Sequence, residues 1–122
     1  QNKMVFAQLQ NADGNFVSPE SANFKAAAAG ADWNKSFYQI LNNQPGKDAW
    51  PITSATFILM RKLQEKPAQG TTSLKFFEWA YTSGDGTADG LDYVPMPASV
   101  KDIIYKSWGE IKDGSGKAVF AK

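Results

Sequence analysis

The chain has 122 residues and contains neither histidine nor cysteine, which removes the commonest general base, two main metal ligands and the thiol nucleophile together. Its formal charge is +1, with 13 Lys and Arg against 12 Asp and Glu, and the basic residues are scattered among acidic ones, so a nucleic-acid or anionic-membrane surface is not indicated. Hydrophobic residues make up 43%, enough for one globular unit in which folding buries roughly two-thirds of the unfolded chain's surface.

Lack of cysteine is compatible with an oxidising compartment as well as a reducing one. No run approaches the roughly 18 to 20 apolar residues that span a bilayer, and the longest, Ala55 to Met60, is strand-sized. The sequence opens on Gln1-Asn2-Lys3 without an initiator methionine or a charged-then-apolar leader, a start that suggests cleavage or truncation.

In chain order, the apolar run Met4 to Leu9 meets Asn11-Ala12-Asp13-Gly14-Asn15 and resumes at Phe16-Val17, which predicts a β-hairpin. Ser18 before Pro19 reads as an N-cap followed by a first helical position, and the alanine-rich stretch Ser21 to Ala29, stopped by Gly30, predicts a short helix. Trp33, Phe37, Ile40 and Leu41 recur at helical spacing and predict a second helix over 32–43, broken by Asn42-Asn43-Gln44-Pro45-Gly46. After Trp50-Pro51, the nearly continuous apolar run Ile52 to Arg61 predicts a central strand covered on both faces.

Pro67 opens a longer helix whose stripe of Leu74, Phe77, Ala80 and Tyr81, widened by Phe76 and Trp79, ends at Gly84. Gly84 to Gly90 reads as a loop and Leu91 to Pro97 as irregular chain. Pro97 can serve as the first position of a final helix that buries Val100, Ile103, Ile104, Trp108 and Ile111. Asp113-Gly114-Ser115-Gly116 then turns the chain into the tail Ala118 to Phe120.

Few constellations suggest chemistry. Asp85-Gly86 with Asp89 lacks the alternating carboxylates and the later glutamate of a calcium loop. Asp113 to Lys117 lacks the spacing of a phosphate-cradling P-loop, since Ala118 follows the lysine. Glu78 and Glu110 read as surface charges, and no nucleophile can be paired with a base, so no catalytic residue is assigned and no metal or cofactor is expected. Among the four tryptophans, Trp79 and Trp108 lie on or beside apolar stripes and are expected in the core. Trp50, with Pro51, Thr53 and Ser54, marks the point where the chain enters the buried run and is the candidate hinge or crossover.

The order of these blocks resembles a known family. Ala12-Asp13-Gly14 through Val17-Ser18-Pro19, Gly30-Ala31-Asp32-Trp33, Trp50-Pro51-Ile52-Thr53-Ser54 with Thr56-Phe57-Ile58-Leu59, Lys66-Pro67, Leu74-Lys75-Phe76-Phe77-Glu78-Trp79-Ala80-Tyr81, and Leu91-Asp92-Tyr93 with Pro97 are similar to the C-terminal part of the periplasmic phosphate-binding proteins, the PstS family. The resemblance covers nearly the whole chain. It implies an α/β fold, the C-terminal fragment of a two-lobed type II periplasmic-binding-protein fold with a hairpin, a central strand and several packing helices. Residues 1–50 would be a piece of one lobe, and residues 51–122 the crossover strand and helices of the other.

It further implies a receptor, not an enzyme, that closes by hinge motion on inorganic phosphate in the periplasm and presents it to an ABC permease. The family's ligands are helix N-terminal amides with serine, threonine, aspartate and arginine side chains. None of those motifs has a counterpart here, so phosphate would be held through the missing N-terminal part. A lone fragment of this kind would leave apolar faces uncovered, and either self-associates, with elements exchanged, or is accompanied in nature by the missing part. Two other readings compete: a stand-alone protein-interaction or assembly module derived from the same lobe, and a carbohydrate binder using exposed tryptophans.

Overall fold

The computed structural model describes residues 4–120. Two short strands, β1 (Leu9–Gln10) and β2 (Phe16–Val17), pair antiparallel with Leu9 opposite Val17 and Gln10 opposite Phe16. The expected hairpin is present, but pairing is confined to its end: Met4, Val5 and Phe6 are exposed and unpaired with any strand. Gly14 sits at φ +82° in the connecting turn, a backbone state that a side chain would strain.

Helix α1 (Ser21–Ala29) owes its form to alanine propensity and ends where the Gly30 amide bonds the Ala26 carbonyl at 3.3 Å. It starts later than Ser18-Pro19 suggests, because extended Glu20 takes the N-cap position and the Ser18 hydroxyl instead accepts from Gln8 Nε2 at 3.3 Å. No helix forms over 32–43. Side-chain oxygens compete for the backbone there, with the Tyr38 amide bonded to Ser36 Oγ at 3.0 Å. Only Trp33 and Leu41 of the expected stripe are buried.

Helix α2 (Pro67–Ser83) runs between the proline and glycine that bracket it in sequence. The glycine-rich stretch expected as a loop is instead a six-residue helix, α3 (Asp85–Gly90). Asp85 favours its N-terminus electrostatically and is held there by Lys101, whose Nζ lies 2.7 and 2.8 Å from its two carboxylate oxygens. The same ammonium donates to the Tyr81 carbonyl at 2.7 Å, tying α4 (Ala98–Ser107) to the end of α2. Pro97 precedes α4 as its N-cap and is not its first residue. A 3₁₀ turn, Trp108–Glu110, continues α4.

Two buried clusters organise the chain. One joins Ala28, Trp33, Leu41 and Val100, so residues before Trp50 pack directly on α4. The other joins Leu74, Trp108 and Ile111, with Phe77, Tyr81, Tyr105 and Phe120 against it. Its rings meet edge to face or stacked, as Tyr105 on Trp108 at 5.0 Å and Phe120 on Trp108 at 5.3 Å. Trp108 is therefore core as expected. Trp79 is not: it stays 53% exposed and stacks on Phe76, its neighbour three residues back, at 6.0 Å.

The largest departure from expectation is 52–61. This run forms no strand, and Ser54 to Met60 make no hydrogen bond to any described residue. An apolar, β-branched run becomes a strand only where a neighbouring strand supplies donors and acceptors, and the described residues offer none beside it. Pairing begins only beyond its end. The Lys112 amide bonds the Lys62 carbonyl at 2.7 Å, the Gln64 amide bonds the Lys112 carbonyl at 2.8 Å, and Lys112 also bridges to Ala118.

Candidate functional site

The residues singled out as a crossover lie in a knot of long-range hydrogen bonds. Trp50 is buried, its amide donates to the Asn23 carbonyl at 3.0 Å, and its ring packs on Phe24 at 6.2 Å. Thr53 is buried as well and turns its hydroxyl back onto the Trp50 carbonyl at 3.0 Å. The Pro51 carbonyl accepts from the Asn43 amide at 2.8 Å. Ser54 lies outside this group, exposed at the start of the unpaired run.

The centre of the knot is a residue that sequence reasoning assigned only to a turn. Asn11 is 6% exposed. Its Nδ2 lies within hydrogen-bond reach of the carbonyls of Gly46, Lys47 and Ala49, at 3.1, 2.8 and 3.3 Å, while its Oδ1 accepts from the amides of Asp13 and Asn15. Asp13 adds a bond from the Gly46 amide to its Oδ2 at 3.2 Å. Gly46 adopts φ +128° to present these groups. The hairpin turn thus grips the 46–49 turn directly before Trp50. The Asn-x-Asp-Gly pattern announces a turn but carries no sign of a carbonyl partner more than thirty residues away.

A broad cleft of about 1360 Å³ opens beside this knot, lined by the 53–60 run and by apolar side chains including Trp33, Trp79, Met96 and Ile104. Such a lining suits polypeptide side chains better than a dehydrated oxyanion, which needs converging amide, hydroxyl and guanidinium donors. The sole arginine of the sequence, Arg61, is committed at the surface to Glu65, 2.9 Å away. Asp113, considered with the glycine-rich tail, closes its own turn: its Oδ1 accepts from the Ser115 hydroxyl and the amides of Ser115 and Lys117. The Ser115 bond is the main reason its pKa is lowered. Among the described residues there is no group of three His, Cys, Asp or Glu side chains able to hold a metal ion, and no helix long and apolar enough to cross a membrane.

No family model matches the chain. Curated relatives do. It is 42% identical over 123 residues to the phosphate-binding protein PstS of Pasteurella multocida (strain Pm70), covering 98% of this chain and 36% of that protein. It is 44% identical over 110 residues to PstS of Xylella fastidiosa (strain 9a5c), and 42% over 110 residues to PstS of Haemophilus influenzae. Each of these spans 88% of this chain, and 30% and 33% of the respective relatives. The family resemblance to PstS is thereby shown.

The chain spans about a third of the length of these PstS relatives. These relatives are named for phosphate binding, not for catalysis, with which the expectation of a non-enzyme fits. A helical segment with a small two-stranded sheet is consistent with an α/β fragment of a PstS-like protein.

Proposed function

We propose that this chain is the C-terminal part of an extracytoplasmic receptor that captures inorganic phosphate for import by an ABC transporter. The observation that carries the reading is the 42 to 44% identity, along nearly the whole chain, to proteins named for phosphate binding. In this reading the parent is a two-lobed type II periplasmic binding protein. Residues 1–50 belong to one lobe and 51–122 to the other, with Trp50, Pro51, Thr53 and Ser54 at the crossover. The phosphate ligands lie in the rest of the polypeptide, in keeping with the apolar lining of the cleft and the surface pairing of Arg61. The permease meets the assembled receptor in the periplasm.

For the isolated chain, the exposed side chains Phe57, Ile58, Leu59, Phe76 and Trp79 favour self-association.

The test compares two proteins: the 122-residue chain, and a chimera in which it replaces the matching third of Pasteurella multocida PstS. Phosphate at a hundredfold excess over its Kd should stabilise the chimera by about 2.7 kcal/mol, read as a thermal shift that sulfate does not reproduce. The chain alone should show none. A saturable phosphate shift on the chain alone would overturn the placement of the ligands, and a folded chimera blind to phosphate would overturn the phosphate reading.

A further inference from the structure

We propose that Asn34 is an acceptor for an N-linked oligosaccharide, carried on a surface turn. The proposal rests on the reading of this chain as extracytoplasmic, because an acceptor of this kind belongs on a surface loop of an exported protein.

The sequence supplies the motif. Asp32-Trp33-Asn34-Lys35-Ser36 contains Asn-x-Ser with lysine, not proline, at the middle place, and no other asparagine of the chain is followed two places later by serine or threonine. Asp32 stands two places ahead of Asn34, and bacterial transferases of this class read a carboxylate there as well. Three residues alone recur by chance, so the setting has to carry the rest.

The fold presents this motif. Asp32, Asn34, Lys35 and Ser36 are exposed, whereas Trp33 among them is buried. The Trp33 indole N–H donates to the Ala28 carbonyl at 2.7 Å and pins the base of the loop. The Lys35 amide bonds the Asp32 carbonyl at 3.2 Å, which makes 32–35 a turn with Asn34 at its third place. Gln39 Nε2 then reaches the carbonyls of both Asp32 and Ser36 at 2.8 Å. Both of those bonds lie at the surface, where each contributes only about 1 kcal/mol. A transferase can therefore draw the segment out while the buried indole keeps the fold in place.

The groups that the reaction needs are uncommitted. The Asn34 carboxamide and the Asp32 carboxylate bond to no described residue. The Ser36 hydroxyl only accepts, from the Tyr38 amide at 3.0 Å, which leaves its proton to give. Asn11 shows the opposite case, an asparagine of the same chain whose carboxamide is buried and taken up by five backbone partners.

The donor is an oligosaccharide joined to a lipid through a diphosphate. Asn34 Nδ2 attacks its anomeric carbon, and the new C–N bond forms as the bond from that carbon to the phosphate oxygen breaks. The lipid diphosphate leaves with the electron pair, and one N–H proton passes to a base of the transferase. Nothing is oxidised or reduced.

Asn34, Lys35 and Ser36 also line the broad cleft, so access to the turn has to be read on a whole receptor. The folded chimera with Pasteurella multocida PstS is incubated with a purified bacterial oligosaccharyltransferase and a lipid-diphosphate-linked oligosaccharide, then analysed by intact mass and peptide mapping. A glycan should map to Asn34. Asn34→Gln and Ser36→Ala should each abolish it, Ser36→Thr should keep it, and Asn34→Gln should leave the melting temperature unchanged. Asp32→Asn should slow the reaction at least about tenfold, the loss of one charge-assisted contact.

No glycan on Asn34 of the folded chimera, or one that forms only after unfolding in urea, would overturn the proposal. Modification that survives Ser36→Ala would overturn it too. Because the reaction uses purified components and is read apart from phosphate binding, a glycan on Asn34 with no phosphate response would sink the transport reading alone. A phosphate response with Asn34 left bare would sink this inference alone.

Discussion

The aromatic cluster around Trp108 and the run Ser54 to Met60 are built from the same kinds of residue and end in opposite states. Leu74 is fully buried and Trp108 is 7% exposed, whereas Leu59 is 92% exposed. The difference lies in what each element asks of its surroundings. A helix such as α2 or α4 satisfies its backbone internally and needs only side chains to cover one stripe, which the two helices and the 3₁₀ turn give one another. A strand needs hydrogen bonds from another strand before its side chains count at all. The helical half therefore closes a cluster among its own residues, and the run Ser54 to Met60 has no strand partner among the described residues.

Mutating one large apolar residue in each region sharpens that contrast most. Trp108→Ala should cost about 3–5 kcal/mol and Leu74→Ala about 2–5 kcal/mol, since both leave cavities in a packed cluster. Leu59→Ala should fall within about 0.5 kcal/mol of the parent in the dilute chain. Urea denaturation with unchanged m-values is the measurement. Comparable losses at positions 59 and 74 would erase the distinction between the two regions.

The knot at Asn11 ranks next. Asn11→Ala strands the 46–49 carbonyls and the amides of Asp13 and Asn15, and should cost about 2 kcal/mol. Asn11→Asp restores an acceptor for those amides but points a carboxylate at the carbonyls of Gly46, Lys47 and Ala49. It should rescue nothing. Full rescue by aspartate would reduce Asn11 to an ordinary turn residue. Thr53→Val, which removes one buried bond to the Trp50 carbonyl, should cost about 1 kcal/mol.

How far each feature was legible follows from the same contrast. Pro67 and Gly84 mark the ends of α2 because helix ends are local chemistry, and Gly14 and Gly116 mark turns for the same reason. Helical spacing at Trp33, Phe37, Ile40 and Leu41 misleads because periodicity reports where side chains could face, and Ser36 diverts the backbone from helical bonding. The 85–90 helix is hidden behind its glycines because Lys101, sixteen residues beyond Asp85, helps to hold it. Trp50 and Thr53 stand out by type beside Pro51, but Asn11 does not, since three carbonyls chosen by the fold leave no mark on neighbouring residues.

Alkaline titration probes the aromatic cluster more gently. Burial, and secondarily the neighbouring Tyr105, raises the Tyr81 pKa above its ordinary value of 10.0. A raised folded-state pKa means that the stabilising contribution is complete below about pH 10 and is lost as pH climbs past it. Tyr81→Phe should flatten that alkaline decline in the unfolding midpoint. An unchanged slope would place the effect on another group.

The smallest effect belongs to the pair that sits where the two regions join. Lys62 Nζ lies 2.6 Å from Glu110, with the two side chains 78% and 63% exposed. The hydrogen bond from Lys62, with its charge, lowers the Glu110 pKa below 4.5. A depressed carboxylate contributes stability above its ordinary value and loses it as pH falls through the folded one. Lys62→Ala should therefore differ only slightly from the parent at neutral pH and low salt, and not at all once the pH has fallen below the lowered pKa of Glu110 or near 1 M salt, where screening acts within about 3 Å. The Lys62 carbonyl also receives the Lys112 amide, so the backbone of this residue anchors the end of the unpaired run independently of its side chain. A large, salt-insensitive loss in Lys62→Ala would mean that the ion pair, and not the backbone ladder, fixes that run to the helical half, and the separation drawn between the two regions would have to move from residue 61 to residue 62.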